Sequence, residues 1–428
     1  MTSSDSAASA ATVRKQAIRF ILLFGIISLF GDLTYEGARS VNGPFLLTLG
    51  ASATTVGFVA GLGEFLGYGV RLVSGYLADR YKRYWLLANV GYAVGLLAVP
   101  LLALAGRWEV AAGLVILERF GKAIRSPGKD AMLSFATKQV GRGYGFGLQE
   151  ALDQVGAIGG PLLLSGALII RGGFRPGFAL LLIPALLSLT VLALTQRRFP
   201  DPSAMEPEEI RAKPEEIGAK PEEAGAKQDE PAGEPEKQQG KERAGRRLSR
   251  EFWLYMAFSA VAVLGFAHFQ VISYHLKAHQ VMSDPQIPVA FAIAMAVDGV
   301  TALVVGKLYD RVGLGTLLLL PVTSIPATLL AFGGSVAGAW LGIALWGVGM
   351  GIQETIVRAA VADLTRTDLR GMAYGVFNAA YGIAFFIGST VMGAMYDRSV
   401  AAVIIFSVAA QAASLPLFAM MRRAAAPH

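Results

Sequence analysis

The chain has 428 residues, 54% of them hydrophobic and only 16% charged, against about 25% charged in an average soluble domain. Its apolar residues come in blocks of roughly 20, the length at which a helix crosses about 30 Å of hydrocarbon, with no strand-period alternation, which argues against a soluble domain and against an outer-membrane barrel. The net charge is +7 and cysteine is absent, so there is no disulfide or thiolate metal site, and the basic residues are scattered rather than gathered into a nucleic-acid-binding domain.

Residues 1–15 form a polar N-terminal tail, and no small-residue cleavage site follows the first apolar run, so that run is expected to be retained. Twelve spans are predicted. Six make an N-terminal bundle over 16–198: about 16–40, 54–78, 84–105, 108–128, 144–168 and 176–197. Six make a C-terminal bundle over 250–421: about 251–276, 287–308, 314–333, 338–361, 372–395 and 399–420, with a short tail at 422–428. The fold class is therefore an all-α membrane protein of two six-helix bundles. Residues 199–249 hold the tandem heptads AKPEEIG and AKPEEAG and almost no large apolar side chain. That composition predicts a disordered cytoplasmic linker serving as a tether. Fourteen Lys and Arg flank the spans on one side, among them Arg14, Lys15, Arg80, Lys82, Arg83, Lys129, Arg422 and Arg423. Five flank the other: Arg107, Arg171, Arg175, Lys277 and Arg398. This asymmetry places both termini in the cytoplasm.

Several spans carry ionisable residues where lipid would penalise them. Asp32, Glu36 and Arg39 share one face of the first, and Glu64 and Arg71 share a face of the second. Glu118, Arg119, Lys122 and Arg125 lie on the fourth, Glu150 and Asp153 on the fifth, and Asp298 on the eighth. His268 and His275 share a face of the seventh, and Glu354 and Arg358 pair by spacing on the tenth. Glu64, Glu118, Asp153 and Asp298 fall about 15–18 Å from a span end, near the midplane. The third, sixth, ninth and twelfth spans have almost no charge at their centres. In the first span, two carboxylates a turn apart resist ionising together. Arg39 can neutralise one of them, with Glu36 favoured as the substrate- or Arg39-linked acid and Asp32 as the proton site, Glu64 and Asp153 being its rivals, and Asn42, Gly43 and Pro44 loosen the helix beyond. His275, His279 and Met282 lie close in sequence, but Lys277 stands among them and no metal site is expected. No phosphate-binding G-x-x-x-x-G-K-[ST] and no nucleophile–base set is present, so neither an ATPase nor an enzyme is expected, and no cofactor.

The two halves repeat each other. GYLADRYKR at 75–83 aligns with GKLYDRVGL at 306–314, matching Gly75 with Gly306, Asp79 with Asp310 and Arg80 with Arg311. GRGYGFG at 141–147 aligns with LRGMAYG at 369–375. Two equivalent halves imply a pseudo-twofold axis along the membrane normal. This doubled loop motif in a twelve-span chain resembles the major facilitator superfamily. The resemblance implies a monomeric secondary transporter of the cell inner membrane that works by alternating access. It also implies that Gly75, Asp79 and Arg80, with Gly306, Asp310 and Arg311, act as conformational-switch loops closing the cytoplasmic ends of the halves. Gly147, Gly156, Gly160 and Pro161 resemble an antiporter motif of that family and also suit close helix packing. Arg119 stands roughly where the family often has an intramembrane arginine. The expected function is proton-coupled export of a small polar or charged solute. A proton-coupled symporter importing such a solute is the alternative within transport, and a non-transporting membrane sensor or scaffold the alternative outside it.

Overall fold

A computed structural model describes residues 3–205 and 248–424. The linker expected over 199–249 falls outside the described residues between 206 and 247. Twelve helical passages are described: α1 Ser3–Arg39, α2 Ala53–Tyr81, α3 Tyr84–Leu101, α4 Trp108–Val140, α5 Arg142–Arg171, α6 Leu182–Arg198, α7 in two pieces at Arg250–Leu264 and Phe269–Ala278, α8 Gln286–Val312, α9 Leu319–Ala331, α10 Val336–Asp363, α11 Arg370–Tyr396 and α12 Val400–Ala424. No strand occurs among the described residues. Ten stretches are long and apolar enough to cross a membrane, one of them running from Gln286 through Ala331 and so holding both α8 and α9. α4 is not among the ten, because Glu118, Arg119, Lys122 and Arg125 crowd its middle.

Three elements differ from the sequence expectation. α1 begins at Ser3, so the polar stretch read as a tail continues the first helix. α4 does not stop near residue 128 but continues through Pro127 to Val140. Proline removes the N–H that would bond the carbonyl four residues back. Here that carbonyl, Ala123 O, accepts instead from Ser74 Oγ of α2 at 2.9 Å, so the helix carries on. Lys129, counted above among the loop charges, therefore lies on a helix and inside the protein. α7 breaks at residues 265–268, and His268 becomes the N-cap of its second piece, its ring accepting from Gln270 N at 3.5 Å. His268 and His275 consequently serve different places. His268 faces the centre of the molecule, whereas His275 packs toward the outer end with Nδ1 3.1 Å from Tyr396 Oη.

Each half has its own apolar core, and the halves meet closely at the end opposite the basic loops. Ala51 O accepts from Tyr274 Oη at 3.3 Å, and Pro285 O accepts from Ser165 Oγ at 2.8 Å. α2 and α11 touch backbone to backbone there. A Cβ on Gly57 would strike Ser389 O, and one on Gly61 would come within 2.8 Å of Phe386 Cα. Small residues permit such an approach. At the basic end a cavity between the halves reaches down to Lys129, Asp130 and Tyr374. The molecule is thus sealed at one end and open at the other.

Candidate functional site

Between the halves lies a cavity of about 580 Å³ that extends from mid-molecule toward the basic end. α1, α2, α4 and α5 line one wall, and α7, α8, α10 and α11 the other. Helical spacing brings the charges of each passage onto one face, and the bundle turns those faces inward. Asp32, Glu36, Arg39, Glu64, Arg71, Arg119, Asp153, Asp298 and Glu354 all line this one space. Glu118 is buried just behind the wall, its Oε2 3.4 Å from Arg119 Nε. The side chain of Arg358 lies outside what is described, so its expected pairing with Glu354 is not placed.

Much of this charge is already paired. Glu36 Oε2 stands 3.4 Å from Arg39 Nη1, and its Oε1 3.5 Å from Lys122 Nζ. Glu64 Oε1 is the hub, at 3.4 Å from Arg119 Nη1, 3.9 Å from Arg39 Nη2 and 3.6 Å from His268 Nε2. His268 comes from the other half, so Glu64 joins the two. Asp153 Oδ2 is 3.7 Å from Lys129 Nζ and accepts from Gln149 Nε2. A buried pair is tolerated only when each charge finds its counter-charge and further hydrogen bonds, and the interlocking of α1, α2 and α4 provides both.

Three cavity charges stand apart. Asp32 and Asp298 have no cation within 4.0 Å among the described residues, and Asp298 Oδ1 has no hydrogen-bond partner. Arg125 has no carboxylate within that distance. Its guanidinium lies over the Tyr92 ring at 4.3 Å and the Tyr35 ring at 5.1 Å, an arrangement that favours a cation. Arg125 and Lys122 belong to the charge-rich fourth span, but spacing alone gave no reason to single them out. Lys129 was hidden by the false stop at Pro127. The rings of the far wall, Tyr374, Phe377, Tyr381 and Phe385, carry no charge and so no signal in the sequence.

The motif residues lie elsewhere. Gly156 and Gly160 pack on α1, where a Cβ would meet Leu29 O and Leu33 O, while Gly147 meets nothing. Pro161 sits inside α5. Asp79, Arg80, Asp310 and Arg311 are exposed at the open end. Among the described residues neither Asp79 nor Asp310 has an ion-pair partner.

The family model described as Major Facilitator Superfamily matches residues 22–389. The Mycobacterium tuberculosis protein Rv2265, described as uncharacterized, is 41% identical over 409 residues, 95% of this chain and 93% of its own. The Methanocaldococcus jannaschii protein MJ1317, described as an MFS-type transporter, is 26% identical over 390 residues, 89% of each chain. Among solved structures, the nucleoside transporter NupG superposes with a TM-score of 0.68 at 13% identity, covering 96% of this chain and all of that one. A bacterial homologue of the human lysosomal transporter Spinster, crystallised inward-facing and unoccupied, gives 0.67 at 14% identity over 97% and 99%. At such identities the likeness is one of fold.

Proposed function

The chain belongs to the Major Facilitator Superfamily of membrane transporters, and from that premise we propose that it exports a small charged solute in exchange for protons by alternating access. The observation that carries this reading is the pair Asp32 and Asp298, carboxylates on the cavity wall with no cation within 4.0 Å among the described residues. In a cavity walled off from lipid, the species that can neutralise such a group are a proton or a cationic part of the solute. Glu36, held by Arg39 and Lys122, fixes the binding geometry, and Asp32 carries a proton. Export rests on the glycine pattern of α5, and the positive-inside asymmetry puts the open, basic end in the cytoplasm. The structure then corresponds to the inward-open state of a monomer in the cell membrane.

Reconstituted protein in vesicles with an imposed pH gradient tests the proposal. Labelled small charged solutes should move against the proton flux. Movement in the same direction as protons turns export into uptake, and indifference to the gradient removes coupling. Asp32→Asn should flatten the pH profile while solute binding persists, and Glu36→Gln should weaken binding itself. If both variants keep the wild-type profile and affinity, the α1 carboxylates are structural.

Gly75, Asp79, Arg80, Gly306, Asp310 and Arg311, expected in loops, lie in the last turns of α2 and α8, and these helix ends give a second expectation. Asp79 is unengaged in this open state, as suits a charge that acts when the cytoplasmic ends close. Asp79→Asn removes a charge–dipole term of about 1 kcal/mol from one state only and should slow cycling roughly fivefold without loss of folded protein. Wild-type flux from well-folded Asp79→Asn would remove that role.

A further inference from the structure

Among the described residues, the Lys and Arg side chains of the cavity all stand on one side, interleaved there with Asp32, Glu36, Glu64 and Asp130. One wall, from α1, α2 and α4, presents Arg39, Arg71, Arg119, Lys122, Arg125 and Lys129. The other wall presents Asp298 and Glu354 and, among the described residues, no Lys or Arg. Besides Asp32, one charge on each wall is buried with no opposite charge within 4.0 Å among the described residues. Arg125 is only 4% exposed, its Nε lacks any hydrogen-bond partner, and no carboxylate lies within 4.0 Å among the described residues. Asp298 is only 5% exposed, and its Oδ1 is likewise without a partner. A buried charge or polar atom left unmatched is costly, and a ligand that matches it recovers that cost. The local competitors for Arg125 are accounted for. Asp153 is engaged by Lys129 and Gln149, and Asp32 stands beyond 4.0 Å.

We propose that Arg125 and Asp298 are the two poles of a site for a small organic zwitterion, with the carboxylate of the solute on Arg125, its ammonium on Asp298 and its carbon body against Phe377, Tyr381 and Phe385. The assignment rests on the transport reading above and names its substrate class. A guanidinium meets a carboxylate with two parallel N–H donors, which an ammonium cannot do. An ammonium meets the Asp298 carboxylate as a compact charge with three donors. Tyr381 Oη donates to Gln353 Oε1, which fixes that ring toward the body of the solute. About 580 Å³ suits a ligand of this size.

The test uses the purified full chain in detergent and measures thermal stabilisation and affinity. The probes are 4-aminobutanoate, 6-aminohexanoate and 4-(aminomethyl)benzoate, each against its single-charge analogues: hexanoate, hexylamine, benzoate and benzylamine. At least one zwitterion should bind, and removing either of its charges should weaken binding at least about tenfold. Arg125→Lys should weaken the zwitterion and the acids by about tenfold and leave the amines unchanged. Asp298→Asn should weaken the zwitterion and the amines by about tenfold and leave the acids unchanged. The analogue series in the wild-type chain needs no variant, so poor folding of either mutant leaves the test intact. Equal binding of a zwitterion and a single-charge analogue overturns the proposal, and so does the failure of every zwitterion to bind at millimolar concentration. Zwitterion binding without proton-driven exchange sinks the coupling alone. Proton-driven exchange confined to solutes of one charge or none sinks the zwitterion site alone.

Discussion

Asp397→Ala is expected to open the sealed end of the protein. Asp397 caps α11, and its carboxylate reaches across to the first turn of α2 in the other half. Oδ1 accepts from Ala53 N at 3.0 Å, and Oδ2 accepts from Thr54 N at 2.9 Å and Thr54 Oγ1 at 2.6 Å. These are charge-assisted bonds to otherwise orphaned N–H groups at the positive end of a helix. They span the seam, so they exist only while that end is shut. Losing them shifts the conformational equilibrium by about 2–3 kcal/mol, or roughly 30- to 150-fold toward the outward-open state. The chain has no cysteine, so a single reporter is clean. Ser389→Cys, at a position 1% exposed beside Gly57, should resist a membrane-impermeant maleimide in the wild-type background and react in the Asp397→Ala background. Equal protection in both would show that the backbone contacts of Gly57 and Gly61 hold the seam without Asp397.

Glu64→Gln is expected to be the most damaging single change in the cavity. One oxygen of Glu64 faces Arg39, Arg119 and His268. The shape of glutamine is nearly the same, but its charge is gone, and two largely buried guanidinium groups lose a counter-charge that cavity water replaces only in part. Breaking a buried pair in this way costs about 3–5 kcal/mol. The melting temperature of the purified variant should fall well below wild type. Arg119→Gln combined with Glu64→Gln should recover part of the loss, because the two residues share one interaction. A Glu64→Gln protein that melts like wild type would mean that Glu36 and Glu118 suffice for Arg39 and Arg119.

These two residues show where sequence reading reached its limit. Glu64 was visible as a midplane charge because lipid makes such a residue rare. Its partners come from α1, α4 and the other half, which no spacing rule connects. Asp397 gave no signal at all: it sits in a loop, where an acid is ordinary, and only the seam makes it a cap. The stop at Pro127 was a sound local inference, overturned by one hydroxyl, that of Ser74, from a neighbouring helix. The break in α7 was likewise invisible, since the residues 265–268 contain no proline and only one glycine.

By itself the sequence determined the architecture. Apolar blocks of membrane-spanning length must be helices, because lipid leaves backbone groups no other partner. The repeated loops make the halves equivalent, and the charged faces have nowhere to turn but inward. Only the tertiary structure decided which carboxylates are neutralised and which are not. Asp32 and Glu36 are one turn apart on the same face of α1, yet Glu36 lies between Arg39 and Lys122 while Asp32 has no cation within 4.0 Å among the described residues. The reason is physical: pairing in a low-dielectric interior depends on separations of a few ångströms between side chains of different helices, and those separations are set by how the helices pack.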